Sequence, residues 1–194
     1  MTDLSSLPSL SSLSSVEPIE TAGTIETIDT IRQPKKAPRQ GGPGFLDEVA
    51  FLDVIRLTPL VSIDLIVNDG KRKVLLGQRR NRPARNTWFV PGGRVTKGES
   101  LDAAFTRVVR DELGIASMQR SSSRLYGVFE HCYEDNFAGV PGISTHYIVL
   151  AYSITLNGSV PIGRFDQHSG YQWLMPAEVL ARDDVHRNAK AYFR

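Results

Sequence analysis

The sequence predicts an α/β domain, a mixed β-sheet carrying packed helices, and three observations carry that expectation. LVSIDLIV at 60–67 alternates so that Val61, Ile63, Leu65 and Val67 share one side of a strand, with Asp64 on the other. Residues 101–113 repeat apolar side chains at helical spacing. Two aromatic and β-branched runs, RLYGVFEHCYE at 124–134 and THYIVLAYSITL at 145–156, flank a polar, Gly-rich connection.

Residues 1–44 differ from the rest. Ser and Leu alternate in SSLPSLSSLSSV, Ile, Thr and Glu recur in IETAGTIETIDTI, and QPKKAPRQGGPG follows. This composition reads as a low-complexity, disordered extension, with a strand or a partner-binding segment as the alternative for the Ile-Glu/Asp-Thr repeat. Asp3, Pro8, Glu17 and Glu20 argue against a secretory signal, and a first basic residue at Arg32 argues against a transit peptide. The domain itself is assigned to 45–194.

From Phe45 to Leu57, Phe45, Val49, Leu52 and either Val54 or Ile55 share a helical face. Pro59 ends that segment. After the 60–67 strand, Asn68-Asp69-Gly70 predicts a turn and KVLLGQR at 73–79 a returning strand, hence a hairpin. NRPARNT reads as a loop before the short strand Trp88-Phe89-Val90. Thr96, Lys97 and Gly98 make a polar turn, and Ser100 is placed to cap a helix with Asp102 in its first turn.

In that helix Leu101, Ala104, Phe105, Val108 and Leu113 form an apolar stripe, and Gly114 suits the left-handed C-terminal position. Arg107 and Asp111 are one turn apart and able to pair. Glu112 lies near the helix C-terminus, where the dipole disfavours a carboxylate unless a cation compensates it. SGYQWL at 169–174 reads as a last strand, and Pro176 opens a helix over PAEVLARDD. Trp88 and Trp173 read as core residues.

The 23 basic and 21 acidic residues leave a net charge of +2, which gives no polyelectrolyte signature and no reason to expect nucleic acid as a partner. No apolar run reaches the length of a membrane span. The single Cys132 excludes an internal disulfide and a cysteine metal cluster; it fits a reducing, cytoplasmic setting and reads as a buried or semi-buried thiol.

GRVTKGESLDAAFTRVVRDELGI at 93–115 resembles a Nudix box. Gly93, Glu99, Arg107, Val109, Glu112, Gly114 and Ile115 match, Asp111 is a shortened match, and Val108 stands where a carboxylate is usual. The resemblance implies a Nudix α/β/α sandwich. From about Phe45 to Phe193 the chain is more specifically similar to GDP-mannose mannosyl hydrolases. The similarity rests on TPLVSID at 58–64, NRPARNTWFVPGGRV at 81–95, YGVFEHCYEDNF at 126–137, THY at 145–147, DQHSGYQWL at 166–174 and the terminal VHRNAKAYF. In that branch the box lacks the acidic residue that Val108 replaces.

The resemblance implies hydrolysis of GDP-mannose, with GDP-glucose as a further substrate, to GDP and free sugar by inverting water attack at the sugar C1. It implies Mg2+, with Mn2+ as a substitute, held by the Gly92 carbonyl, Glu112 and Gln167 together with substrate phosphates, and oxygen ligands suit such a hard cation. His168 corresponds to the general base. Arg79 and Arg94 correspond to arginines facing the diphosphate, where a planar charged group accepts paired phosphate contacts. Asp64, His131, Tyr147 and Tyr171 match positions near the substrate, and Arg107 is read as orienting nearby carboxylates. A homodimer is implied as well. The rival readings are a conventional Nudix pyrophosphohydrolase acting at phosphorus on another nucleoside diphosphate derivative, and a non-catalytic module that binds a nucleotide sugar.

Overall fold

Leu60–Asn68 forms β1, and it is central because nearly every side chain on it is apolar, small or paired. Ile63, Leu65 and Val67 pack on one face and Ile66 on the other, all at 3% exposure or less. The structure, a computed structural model, describes residues 46–156 and 168–194. The extension assigned to 1–44, Phe45 and Gln167 therefore lie outside the described residues.

A mixed sheet is built on β1. Strand β2 is Val74–Arg79, β3 Trp88–Phe89, β4 Gly92–Arg94, β5 Arg124–Tyr133, β6 Thr145–Thr155 and β7 His168–Leu174. The main order is β3-β2-β1-β6-β5, with β4 paired to β1 and β7 to β2. Among the described strands, β1 and β6 are the parallel pair, in register from Leu60↔Tyr147 to Asn68↔Thr155. The remaining pairs are antiparallel.

The predicted hairpin closes at one end only. Asn68 pairs with Val74, and the turn is held by Oδ1 of Asp69, which accepts from the amides of Lys71 and Lys73 at 2.7 and 3.0 Å. Beyond that pair the strands diverge: β4 lies against Ser62, Ile63 and Asp64, while β7 lies against β2. The three residues of β4 were not read as a strand from the sequence. Their strand character comes from pairing with β1, since Gly-Gly-Arg has no strand propensity of its own.

Helix α1 is Glu48–Leu57, capped by Asp47, whose carboxylate accepts from the Ala50 amide at 2.8 Å. Its expected apolar face is partly wrong: Ile55 is buried, but Val49 is 72% exposed. Helix α2, Leu101–Leu113, follows the sequence reading closely. The Ser100 hydroxyl accepts from the Ala103 amide at 3.2 Å, and Gly114 ends the helix at φ 70°. Ala104, Phe105, Val108, Val109 and Leu113 are buried against β1 and Tyr152, whereas Leu101 is exposed.

Pro176–Ala181 forms α3, shorter than expected because Arg182 turns out of the helix to pair with Asp184 at 2.6 Å. Arg187–Lys190 forms α4, followed by a 3-10 turn over Ala191–Phe193. This terminal segment docks through Trp88, which donates its amide to Asp184 and accepts from the His186 amide. Val179, Val185, Ala189 and Tyr192 then complete the second face of the core with Trp88 and Phe89. Among the described residues, no helix is long and apolar enough to cross a membrane.

Candidate active site

The divergence of β1 and β2 leaves a cavity of about 780 Å³ between the two faces of the core and the end of α2. Of the residues singled out from sequence, Asp64, Arg79, Gly92, Arg94, Glu112, His131 and Tyr147 all line it. They come from β1, β2, β4, α2, β5 and β6, so the sheet gathers side chains that are up to 83 positions apart between Asp64 and Tyr147.

Asp64 points away from the apolar β1 face and is 7% exposed. Its Oδ2 accepts a 2.6 Å hydrogen bond from the Tyr192 hydroxyl. Burial pushes the Asp64 carboxyl up to about 6, against the opposing effects of that hydrogen bond and of the Arg79 charge. Gly92 is required beside it: a Cβ there would stand 2.4 Å from Asp64 Oδ1.

Two of the cavity arginines, Arg79 and Arg94, are held from behind. The Arg79 guanidinium donates from Nε to the Pro83 carbonyl at 3.0 Å. That of Arg94 lies 3.9 Å from the centre of the Phe51 ring, so α1 supplies a cation–π seat. Burial lowers the Arg94 pKa, opposed by Tyr147, while burial raises that of the Tyr147 phenol. The Arg94 guanidinium remains a cation at neutral pH.

Below them, the box helix is tied to β4 by Arg107. Its Nε and Nη2 donate to the two Glu99 oxygens at 2.7 and 2.8 Å, and Nη2 also donates to the Arg94 carbonyl at 2.8 Å. Arg107 thus orients a carboxylate as expected, but Glu99 is the carboxylate. Asp111, the predicted i,i+4 partner, is instead bonded by Arg110 at 2.9 and 3.0 Å, because Arg107 is turned toward the β4 side of the helix. Val108 is 1% exposed and lies under Gly93, where a Cβ would stand 3.0 Å from its Cγ2.

Glu112 is 3% exposed, borders the cavity, and has Oε2 3.7 Å from Nδ1 of His168. A buried carboxylate at the edge of a cavity that also contains Gly92 fits a hard divalent cation, since both contribute oxygen. His168, just before the strand read at 169–174, begins β7 opposite Arg79 and is 2% exposed. Its Nδ1 lies 3.0 Å from the Tyr171 hydroxyl. Neither His168 nor Tyr171 is among the described residues that line the cavity; His168 lies against Glu112, and Tyr171 against His168. The His168 ring fits there because residue 77 is glycine: a Cβ would come within 2.5 Å of His168 Cδ2.

His131 is 2% exposed, and its Nε2 is buried without a hydrogen bond. Burial, reinforced by His186, lowers its pKa to about 4, so the ring is neutral at neutral pH. Ser62 and Tyr133 also border the cavity and escaped the sequence reading, as did Tyr192 behind Asp64. Ser62 and Tyr133 carry a signal in hindsight, because each lies two positions from a site residue on the same strand face. Tyr192 has no such signal, since only the docking of the C-terminal segment brings it to Asp64. Cys132, expected to be at least half-buried, is exposed on the outermost strand.

Residues 58–194 match the NUDIX domain, and the chain belongs to that family. Over 105 residues it is 46% identical to the low-salt glycan biosynthesis protein Agl8 of Haloferax volcanii, covering 54% of this chain and 64% of that protein. Over 73 residues it is 34% identical to the ADP-ribose pyrophosphatase of Methanocaldococcus jannaschii, covering 38% of this chain and 41% of the other. The chain thus spans less than two thirds of the length of these curated relatives. The MutT protein from Methanosarcina mazei Go1 superposes with a TM-score of 0.56 at 20% identity, covering 71% of this chain and 92% of that one. The NUDIX domain of Shewanella oneidensis NrtR, solved with ADP ribose, superposes with a TM-score of 0.52 at 18% identity, covering 76% and 95%. These likenesses establish the NUDIX fold.

Proposed function

We propose that the protein is a magnesium-dependent hydrolase of GDP-mannose, acting also on GDP-glucose, that releases GDP and the free sugar with inversion at C1. The observation that carries this reading is the content of one cavity. Arg79 and Arg94 offer two cations to a diphosphate, Glu112 offers a metal-binding carboxylate, and Asp64 with neutral His131 offers polar partners to sugar hydroxyls. The name of the Haloferax volcanii relative, a glycan biosynthesis protein, points to sugar metabolism in the same direction.

In this reading water attacks C1 and the C1–oxygen bond breaks with its electron pair leaving on the diphosphate. Arg79 and Arg94 bind and stabilise that diphosphate as its charge grows. Glu112 and the Gly92 carbonyl, with Gln167, would hold magnesium, which when bound neutralises phosphate charge. His168 takes the proton of the attacking water. Because its ring lies against Glu112 and is not part of the cavity lining, this step has the ring turn toward the cavity, whereas merely orienting Glu112 would need no such movement. Tyr171 supports His168 through the 3.0 Å contact, and Tyr147 contacts phosphate. GDP is already a good anionic leaving group, so a strong protein acid is unnecessary.

One observation favours a second reading. Asp111 also lines the cavity and adds a carboxylate beside Glu112, as attack on phosphorus with more than one metal would use. The name of the Methanocaldococcus jannaschii relative, a pyrophosphatase, agrees with it. Product identification separates the two: GDP and mannose support attack at carbon, whereas GMP and a sugar phosphate support attack at phosphorus. The homodimer that the family resemblance implies is tested by sedimentation of the full chain.

A further inference from the structure

We propose that Glu130, Cys132 and His146 form a zinc-binding site on the outer pair of strands, on the opposite sheet face from the cavity. Glu130 and Cys132 are two apart on β5 and so project to the same side. His146 is the direct cross-strand partner of Cys132 on β6. Between the two β5 ligands, His131 projects the other way and borders the cavity. Strand geometry alone therefore separates the two sites.

One potential ligand atom from each of the three residues lies within 4.8 Å of the other two. Tetrahedral zinc, with bonds of about 2.0–2.3 Å, places its ligand atoms about 3.3–3.8 Å apart. The His146 Nε2 atom is itself buried and makes no hydrogen bond, although Glu130 Oε1 is 2.9 Å away. The two atoms are already a close nitrogen–oxygen pair, and a cation beside both would use them as ligands.

The donor set selects the metal. A thiolate, an imidazole nitrogen and a carboxylate oxygen suit borderline-soft zinc and disfavour magnesium, which takes oxygen. Glu130 and Cys132 are exposed, so the ion can enter directly and retain a water as fourth ligand. Binding replaces the S–H bond of Cys132 by an S–Zn bond and releases one proton to solvent. A bound ion would tie edge strand β5 to β6 and stabilise the fold by mass action.

The test titrates the tag-free full chain with Zn2+ and, as a spectroscopic probe, with Co2+. One ion per chain and a thiolate-to-cobalt charge-transfer band are expected. Cys132→Ser and Cys132→Ala should both abolish the band, His146→Gln should weaken zinc binding at least tenfold, and Glu112→Gln should leave the band intact. Absence of the band from the wild type, its survival without Cys132, unchanged zinc affinity in His146→Gln, or its loss in Glu112→Gln would each overturn the proposal.

Discussion

The Tyr192 hydroxyl donates to Oδ2 of Asp64 at 2.6 Å, joining the C-terminal turn to the central strand across 128 positions of sequence. It provides a polar partner for a carboxylate whose pKa burial raises to about 6. A raised carboxyl pKa means that the folded state holds its proton more tightly than the unfolded chain. The resulting stability is fully present below about pH 4 and is lost as pH rises through 6, a difference of about 3 kcal/mol. Denaturant unfolding at pH 4 and 8 should show this loss, and Asp64→Asn should remove that part of the pH dependence. Tyr192→Phe should cost about 1–3 kcal/mol at pH 8, because the buried carboxylate loses a donor.

Glu99 behaves in the opposite sense. The hydrogen bonds from Arg107 hold its carboxyl down to about 2, with burial opposing them. Its stabilisation is present above the ordinary value of 4.5 and is lost as pH falls through 2. Arg107→Ala should cost about 2 kcal/mol at pH 7, since it frees both Glu99 and the Arg94 carbonyl. Thermal unfolding at pH 7 and 3 measures both effects, and the cost should shrink at the lower pH.

Gly77 is the seat of His168. Gly77→Ala introduces a Cβ at 2.5 Å from the imidazole, so the ring must shift, at a cost of about 1–3 kcal/mol. Turnover of GDP-mannose should fall at least tenfold with KM little changed. His168→Ala should show a larger loss of kcat. If His168 is the base, its removal should also flatten the acidic limb of the kcat–pH profile; if it only orients Glu112, the shape should persist and the Mg2+ requirement should rise.

Arg94 is presented to the cavity on the ring of Phe51. Arg94→Lys keeps the charge but loses the planar fork and the stacking, so kcat/KM should fall by about a hundredfold on the proposed role. Phe51→Leu should raise KM only severalfold, because the charge remains in the cavity. Steady-state kinetics on both variants checks the order.

Much of the architecture was legible because local physics and tertiary packing agree. Ser100, the apolar residues of α2 and Gly114 specify a helix by themselves, and their burial reinforces it. The sequence was silent where pairing overrides propensity, as in Gly92–Arg94, and where distant segments meet, as at Tyr192. Most of the candidate site lay within recognisable motifs; the sheet brings Asp64, Arg79, Arg94 and His131 to one cavity, and α2 adds Glu112. What the motifs did not reveal was depth. His168 lies against Glu112 and Tyr171 against His168, with the imidazole fitted into the β2–β7 pairing that glycine at 77 permits.

The central claim is that water attacks the sugar carbon. Hydrolysis of GDP-mannose by the full chain in isotopically heavy water, with magnesium present and both products analysed by mass spectrometry, tests it most directly. The account predicts heavy oxygen in mannose and none in GDP; heavy oxygen in a phosphate-containing product, with unlabelled sugar, would contradict it.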